Sequence, residues 1–277
     1  MTTNSFSTRY TPTLMEKLLG RNYKWWFLAL HKYRSMNGRT WTFLISNIAR
    51  AIEYLIIIYV WKLNPQTTSQ IITYLALGRV FQRIVTANYA GVLSDKISNG
   101  SLTSQLMYPR DNFWLNFGNV VGGNLIRNFI DAVISLGLCV LFFSNDILFS
   151  SNALYLIPFV VLVFFLYFCL NYLIGTVSFL VKNKGDAGNL INTIGIAMGV
   201  LSGNIIPLDK IPVNNLFLYI QPFSYLLHHP MQIYLGKYSN LEILYVFLGG
   251  IFWCFVLYFL AKLVFKIGLK KNESVGL

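Results

Sequence analysis

The chain has 277 residues, 55% of them hydrophobic and only 12% charged, with a mean hydropathy of +0.55. Soluble domains carry about 25% charged residues, so this composition excludes an ordinary soluble globule and makes lipid the solvent for much of the surface. The net charge of +12 is not read as a nucleic-acid footprint, because the basic residues flank apolar stretches, where they set topology and attract anionic lipid.

The arm over residues 1–40 carries Arg9, Lys17, Arg21, Lys24, Lys32, Arg34 and Arg39 against the single acid Glu16. It lacks an apolar core followed by a small-residue cleavage site, so the first span is expected to act as an uncleaved insertion signal. Within the arm, Asn22–Met36 places Tyr23, Trp26, Phe27, Leu30 and Tyr33 at helical spacing, with Lys24, His31 and Ser35 on another face. That pattern predicts an amphipathic helix lying in the inner membrane interface.

A spanning helix takes about 20 mostly apolar residues. Six candidates follow in order: Trp41–Trp61, Gln70–Val92, Phe113–Phe143, Leu154–Val181, Gly188–Ile206 and Leu241–Ile267. Lys96, Arg110, Lys182, Lys184 and the C-terminal Lys262, Lys266, Lys270 and Lys271 join the basic arm on one side, whereas the other side holds Lys62, Lys210 and Lys237. The asymmetry places both termini inside. The expectation is an all-α membrane protein, a single domain over residues 1–277, with six transmembrane helices, an inner loop over 94–112 and an irregular outer region over 204–240.

That outer region is too apolar for an ordinary loop, yet Pro207, Pro212, Pro222 and Pro230 cut it into pieces. Eight helical residues rise only about 12 Å, short of a core of about 30 Å. Such pieces lie at the outer surface or dip in and return, which demands shielding by protein or a water-filled cavity.

No stretch matches the phosphate-binding G-x-x-x-x-G-K-[ST] loop, H-E-x-x-H or G-x-S-x-G. Cys139, Cys169 and Cys254 sit in separate apolar segments without metal spacing and read as small buried hydrophobes. His228 and His229 lack neighbouring carboxylates and read as interfacial histidines. No metal, catalytic residue or cofactor is assigned to this chain.

The charges inside the spans carry more information, because a charge at the bilayer centre costs from about 2.5 to over 10 kcal/mol and must pair or face a cavity. They are Arg50 and Glu53 in the first span, Arg79 and Arg83 in the second, and Arg127 and Asp131 in the third. Counting from the inner ends puts Glu53, Arg79 and Arg127 at one depth, roughly 18–21 Å in, with Arg50 and Arg83 nearer the cytoplasm. Arg127 and Asp131 are also i,i+4 neighbours. Either the six line a translocation path, where their excess positive charge suits an anionic amphiphile, or they lock three helices together. In the fifth span Gly195, Gly199 and Gly203 recur every four residues, a small-residue face for helix packing between subunits or within one chain.

The inner loop Ser94–Arg110, with Ile97, Gly100, Leu102, Leu106 and Pro109, and the outer motifs Ser202–Leu208, Gln221–Tyr225 and His229–Met231 resemble those of type-2 ABC exporter permeases, in a branch of six-span bacterial permeases. The resemblance covers nearly the whole chain. It implies a dimer with an identical or related permease in the bacterial plasma membrane, and two copies of a separate ABC ATPase that binds ATP and Mg. It also implies a coupling loop around Asp95, Lys96, Ile97, Gly100, Leu102, Leu106 and Pro109, and an outer gate built from Gly203, Pro207, Pro212, Pro222, Phe223, Tyr225 and Pro230. The cargo expected is an amphiphile that is lipid-linked, peptide or drug-like. A lipid-modifying enzyme, for which the acids are too scattered, and a sensory or regulatory membrane component are the competing classes.

Overall fold

The computed structural model describes residues 40–65, 67–107, 111–181, 184–212 and 214–273, and every regular element among them is a helix. The expected interfacial helix over Asn22–Met36 and the loop residue Pro109 lie outside the described residues. The α-helices are α1 (Thr40–Lys62), α2 (Ser69–Val85), α3 (Ala90–Ser98), α4 (Ser101–Leu106), α5 (Asn112–Phe143), α6 (Leu156–Gly175), α7 (Lys184–Leu201), α8 (Asn215–Ile220), α9 (His228–Tyr234) and α10 (Asn240–Glu273). Among the described residues, three stretches are long and apolar enough to cross a membrane: Asn112–Phe143, Ser151–Phe179 and Asn240–Lys271. Thirty-two helical residues rise about 48 Å, so the first and last of these exceed a core of about 30 Å and must tilt or project.

Helix α6 is apolar on all sides, the mark of a helix buried all round; Val163, Leu166, Phe168 and Cys169 are fully enclosed. Helix α10 runs along it through Val246, Leu257 and Ala261, while α2, α3 and α9 pack on its other faces. The opposite side of α10 carries Leu248, Phe252, Phe255, Phe259 and Leu263, each more than half exposed. A contiguous apolar face of that kind suits lipid rather than water.

The amino end of α5 is joined to α6 and α10 by aromatic packing and one cap. Phe113 meets Tyr258 at 4.9 Å and Phe168 at 5.1 Å, both edge to face, contacts that add about 0.5–1.5 kcal/mol each beyond area burial. Asp111 caps α5 by accepting the Phe113 N–H at 2.9 Å, and its other oxygen takes the Lys262 ammonium from α10. Tyr89 stacks on Tyr172 at 5.8 Å, which seats the amino end of α3 against α6.

The second apolar segment differs from the expected unbroken helix over Gln70–Val92. Helix α2 stops at Val85, Thr86 turns extended (φ −66°, ψ 121°), and α3 starts at Ala90. Backbone carbonyls freed in a low-dielectric region cost several kcal/mol unless satisfied. Asn128 of α5 satisfies them, donating from Nδ2 to the carbonyls of Thr86 at 2.6 Å and Ile84 at 3.3 Å. The partner needed to break the helix thus comes from 42 residues away.

Beyond α7 the chain turns through Gly203, whose φ of +84° favours glycine. The outer pieces α8 and α9 have six and seven residues, and every residue of α9 is buried. Pro230 falls in the first turn of α9, where its missing N–H costs no helical bond.

Gly175 sits where α6 and α3 approach most closely: a Cβ there would lie 2.9 Å from Leu93 Cβ and 3.0 Å from the Ala90 carbonyl oxygen. Gly175→Val is expected to destabilise the protein by about 1–3 kcal/mol through overpacking against backbone that cannot yield. A thermal unfolding scan in detergent checks this; Gly185→Val, where a Cβ meets nothing within 4 Å, serves as the comparison.

Candidate functional site

Arg79 and Arg83 are one turn apart on α2 and share a face, as do Arg127 and Asp131 on α5. Helices α2 and α5 pack against each other and bring the two faces together. Arg83 Nη1 lies 3.1 Å from Asp131 Oδ2, with both side chains about nine-tenths enclosed at 12% and 9% exposure. The ion pair therefore bridges two helices, in addition to the i,i+4 relation of Asp131 with Arg127.

Arg79 lies 4.6 Å above the ring of Tyr54 from α1, a cation–π contact worth more where water is excluded. Depth counting sets Glu53 at the level of Arg79; the ring under Arg79 is that of the neighbouring Tyr54, and Glu53 is exposed. Tyr54 also donates its hydroxyl to the Asn204 carbonyl at 3.1 Å, and Tyr74 donates to the Gly203 carbonyl at 3.1 Å. Two tyrosines thus tie the charged layer to the outer turn after α7.

Two polar cavities meet at the break in the second segment. One, of about 410 Å³, is lined by Arg50, Arg83, Lys96, Arg127, Asn128 and Asp131, among others. The other, of about 220 Å³, is lined by Arg79, Gln82, Tyr167, Gly199, Ser202 and Asn204, among others. Arg83, Thr86 and Asn88 belong to both walls. Arg79 Nε, Gln82 Oε1, Arg83 Nε and Nη2, and Asp131 Oδ1 are buried without a hydrogen-bond partner among the described residues, which is uncommon for buried polar atoms. A larger groove of about 860 Å³ runs along α10, with Phe259, Leu263 and Leu269 in its walls; it is apolar and opens on the lipid-suited face.

The glycines at 195, 199 and 203 divide into two kinds. A Cβ on Gly195 or Gly199 meets nothing within 4 Å, and both line the smaller cavity, whereas a Cβ on Gly203 would lie 2.5 Å from the Tyr74 hydroxyl. The first two keep space open; the third permits a turn and a close approach.

The inner loop folds as α3 and α4 joined at Gly100, whose φ is +70°. Leu102 is buried, and Ile97 and Leu106 pack on the core. Lys96 points inward and donates to Gln105 Oε1 at 2.7 Å and Asn116 Oδ1 at 3.1 Å; Gln105 in turn donates to Asn116 at 2.8 Å and to Asn112. This network straps the loop to the foot of α5. Asp95 is exposed, as is Met107 at 85%.

In the outer region Pro207 is buried, Pro212 exposed, and Pro222 and Phe223 half-buried. Tyr225 is buried against Gly249 and Gly250 of α10 and donates to the Tyr219 carbonyl at 2.9 Å. His229 Nε2 lies 3.0 Å from the Leu218 carbonyl, which only accepts, so that nitrogen carries the proton and Nδ1 accepts from the Tyr238 hydroxyl at 2.9 Å. Burial holds the imidazole down to about 4, so it is neutral at pH 7. Both ring nitrogens are engaged in packing the outer pieces together.

Residue patterning did not single out Asn128, Tyr54, Thr86, Asn88, Gln105 or Asn116. A signal for the first existed: Asn124, Asn128, Asp131 and Ser135 recur at helical spacing and mark a polar stripe along α5.

Helices suited to lipid outside, with polar cavities threading between them, have the make-up of a membrane transport subunit. The model of a family described as ABC-2 family transporter protein matches residues 40–276, and the chain belongs to that family. Its members are transport membrane subunits, and membership implies partnership with an ABC ATPase. No curated protein and no solved structure matches the chain.

Removing one member of an enclosed ion pair leaves an uncompensated charge and costs about 3–5 kcal/mol, whereas replacing both with apolar residues is close to neutral. Arg83→Leu and Asp131→Leu are each expected to lower the detergent unfolding midpoint by more than the double variant does. A double-mutant cycle by thermal unfolding checks this.

Proposed function

We propose that the chain is the transmembrane subunit of an ATP-driven exporter of amphiphiles in the bacterial plasma membrane. The observation that carries this reading is the pair of polar cavities meeting at Arg83, Thr86 and Asn88 in a chain of the ABC-2 transporter family. Six crossings are assigned to α1, α2 with α3, α5, α6, α7 and α10. Helix α1, with 23 residues, rises about 35 Å. The charge asymmetry keeps both termini inside, and α8, α9 and Tyr225 form a re-entrant outer gate.

The complex holds two permease subunits, identical or related, and two ABC ATPases on which ATP and Mg reside. Exposed Asn189, Asn192 and Thr193 on α7 favour a second permease on that side, since polar side chains in a span face protein or a cavity rather than lipid. ATP binding closes the ATPase pair and pushes on α3 and α4. Because α3 is separated from α2 by Thr86–Tyr89, the push passes two ways, bending the break and moving α5 through Lys96, Gln105 and Asn116. The displacement alters the wall shared by the two cavities, and Tyr54 carries it to the turn at Asn204.

The division of the inner loop into buried anchors and exposed contacts supplies the test. In co-expression with the partner ATPase, Asp95→Lys combined with Met107→Glu is expected to reduce ATPase capture by about tenfold while the permease remains folded. Leu102→Asp is expected to lower both capture and the unfolding midpoint. Unchanged capture by the Asp95→Lys, Met107→Glu variant would remove the coupling role from this loop. Transport by the permease without any ATPase would overturn the reading as a whole.

A further inference from the structure

We propose that the polar cavity of about 410 Å³ is a binding site for a phosphate-type oxyanion, the headgroup end of the transported amphiphile, with Arg83 as its principal ligand. The proposal rests on the exporter reading and assigns its cargo a charge and a chemical group.

The first argument is the sign of the wall. Among the described residues, Arg50, Arg83, Lys96 and Arg127 line the cavity together with one acid, Asp131. Whatever further contacts Arg50, Lys96 and Arg127 make, their charges stay in that wall. A wall lined by several cationic side chains attracts anions and disfavours cationic cargo. Four asparagines, at 88, 119, 124 and 128, line the cavity as well. Those at 88, 119 and 124 add neutral amide donors around a bound oxyanion, the Asn128 amide being committed to the Ile84 and Thr86 carbonyls.

The second argument is the geometry of Arg83. Its Nη1 is committed to Asp131 at 3.1 Å, while its Nε and Nη2 are buried without a partner among the described residues. A guanidinium presents its donors as a planar fork that matches two phosphate oxygens at once. Asp131 holds Arg83 in place and leaves the rest of the fork uncommitted. The amino end of α3 opens on the same cavity through Tyr89 and Val92, and the positive end of a helix dipole adds to the attraction for an anion.

The third argument is continuity. Arg83 also borders the smaller cavity, where Arg79 Nε is likewise buried and unpartnered among the described residues. Arg79 is one helical turn further out, a step of about 5–6 Å. The two guanidiniums form successive stations from the break towards Ser202 and Asn204 under the outer gate.

The test uses the purified full chain in detergent without any ATPase, so that its outcome is independent of ATPase coupling. Three probes are titrated by isothermal calorimetry: dihexanoyl phosphatidic acid, inorganic phosphate, and dihexanoylglycerol, which lacks the phosphate. Phosphatidic acid is expected to bind saturably and at least about tenfold more tightly than dihexanoylglycerol, as charge-assisted bidentate contacts provide. Arg83→Gln is expected to weaken binding by about tenfold, and Arg83→Lys, which keeps the charge and loses the fork, by less. Asp131→Asn is expected to tighten binding several-fold, because it removes a negative charge from the wall. A purely structural ion pair gives no such gain. Binding of inorganic phosphate at comparable affinity assigns the site to water-soluble phosphate esters, and binding of the lipid alone assigns it to headgroups; both uphold the oxyanion site. Equal binding of phosphatidic acid and dihexanoylglycerol overturns the proposal, as does undiminished binding to Arg83→Gln or weaker binding to Asp131→Asn.

Discussion

Hydrocarbon offers no hydrogen bonds, and this constraint organises the centre of the molecule. A guanidinium or a broken helix end placed among apolar helices must find partners within the protein or along a wetted cavity. Arg83 finds Asp131, Arg79 finds the face of Tyr54, and the loose carbonyls at Ile84 and Thr86 find Asn128. Each partner comes from a different helix than the group it serves. The same contacts therefore settle the charges and fix how α1, α2 and α5 are assembled around the two cavities.

The partners differ in how firmly they hold. Asn128 is a neutral cap on a backbone break, so α3 is attached to α2 by four residues and one side chain rather than by a continuous helix. Lys96, Gln105 and Asn116 form a compact polar strap between the inner loop and α5. Tyr54 and Tyr74 make single hydrogen bonds to the outer turn. These side chains join the loop of α3 and α4 to α5, and join α1 and α2 to the turn after α7. The apolar helices α6 and α10 meet the foot of α5 where Tyr172 and Tyr258 pack on Phe113.

Much of the helical framework was legible because hydropathy is averaged over whole turns. The first and third segments begin and end within about one residue of their expected limits, and the glycine at 203 sits where the chain turns. The break in the second segment was not legible. Thr86, Ala87 and Asn88 contain no proline or glycine, and the group that stabilises the break lies in another helix. The ion pair was half legible: the charged residues were evident, yet counting residues along each helix gives depth and not rotation. One position of a helix turns by about 100°, enough to exchange Glu53 for Tyr54 opposite Arg79. The loop strap was invisible for a similar reason, since Gln105 and Asn116 are ordinary polar residues until the fold aims them at Lys96.

The central claim is that the cavities around Asn88 form the translocation path and change access when ATP acts. Thiol accessibility measures this most directly. With Cys139, Cys169 and Cys254 replaced by alanine, Asn88→Cys is introduced into the complex with its ATPase, and its modification by a membrane-impermeant maleimide is timed from the inner side. The account predicts ready modification without nucleotide and at least about tenfold slower modification once the ATPases are trapped with ATP and vanadate, when the inner opening is closed. A thiol that is inert in both states, or equally reactive in both, would contradict it.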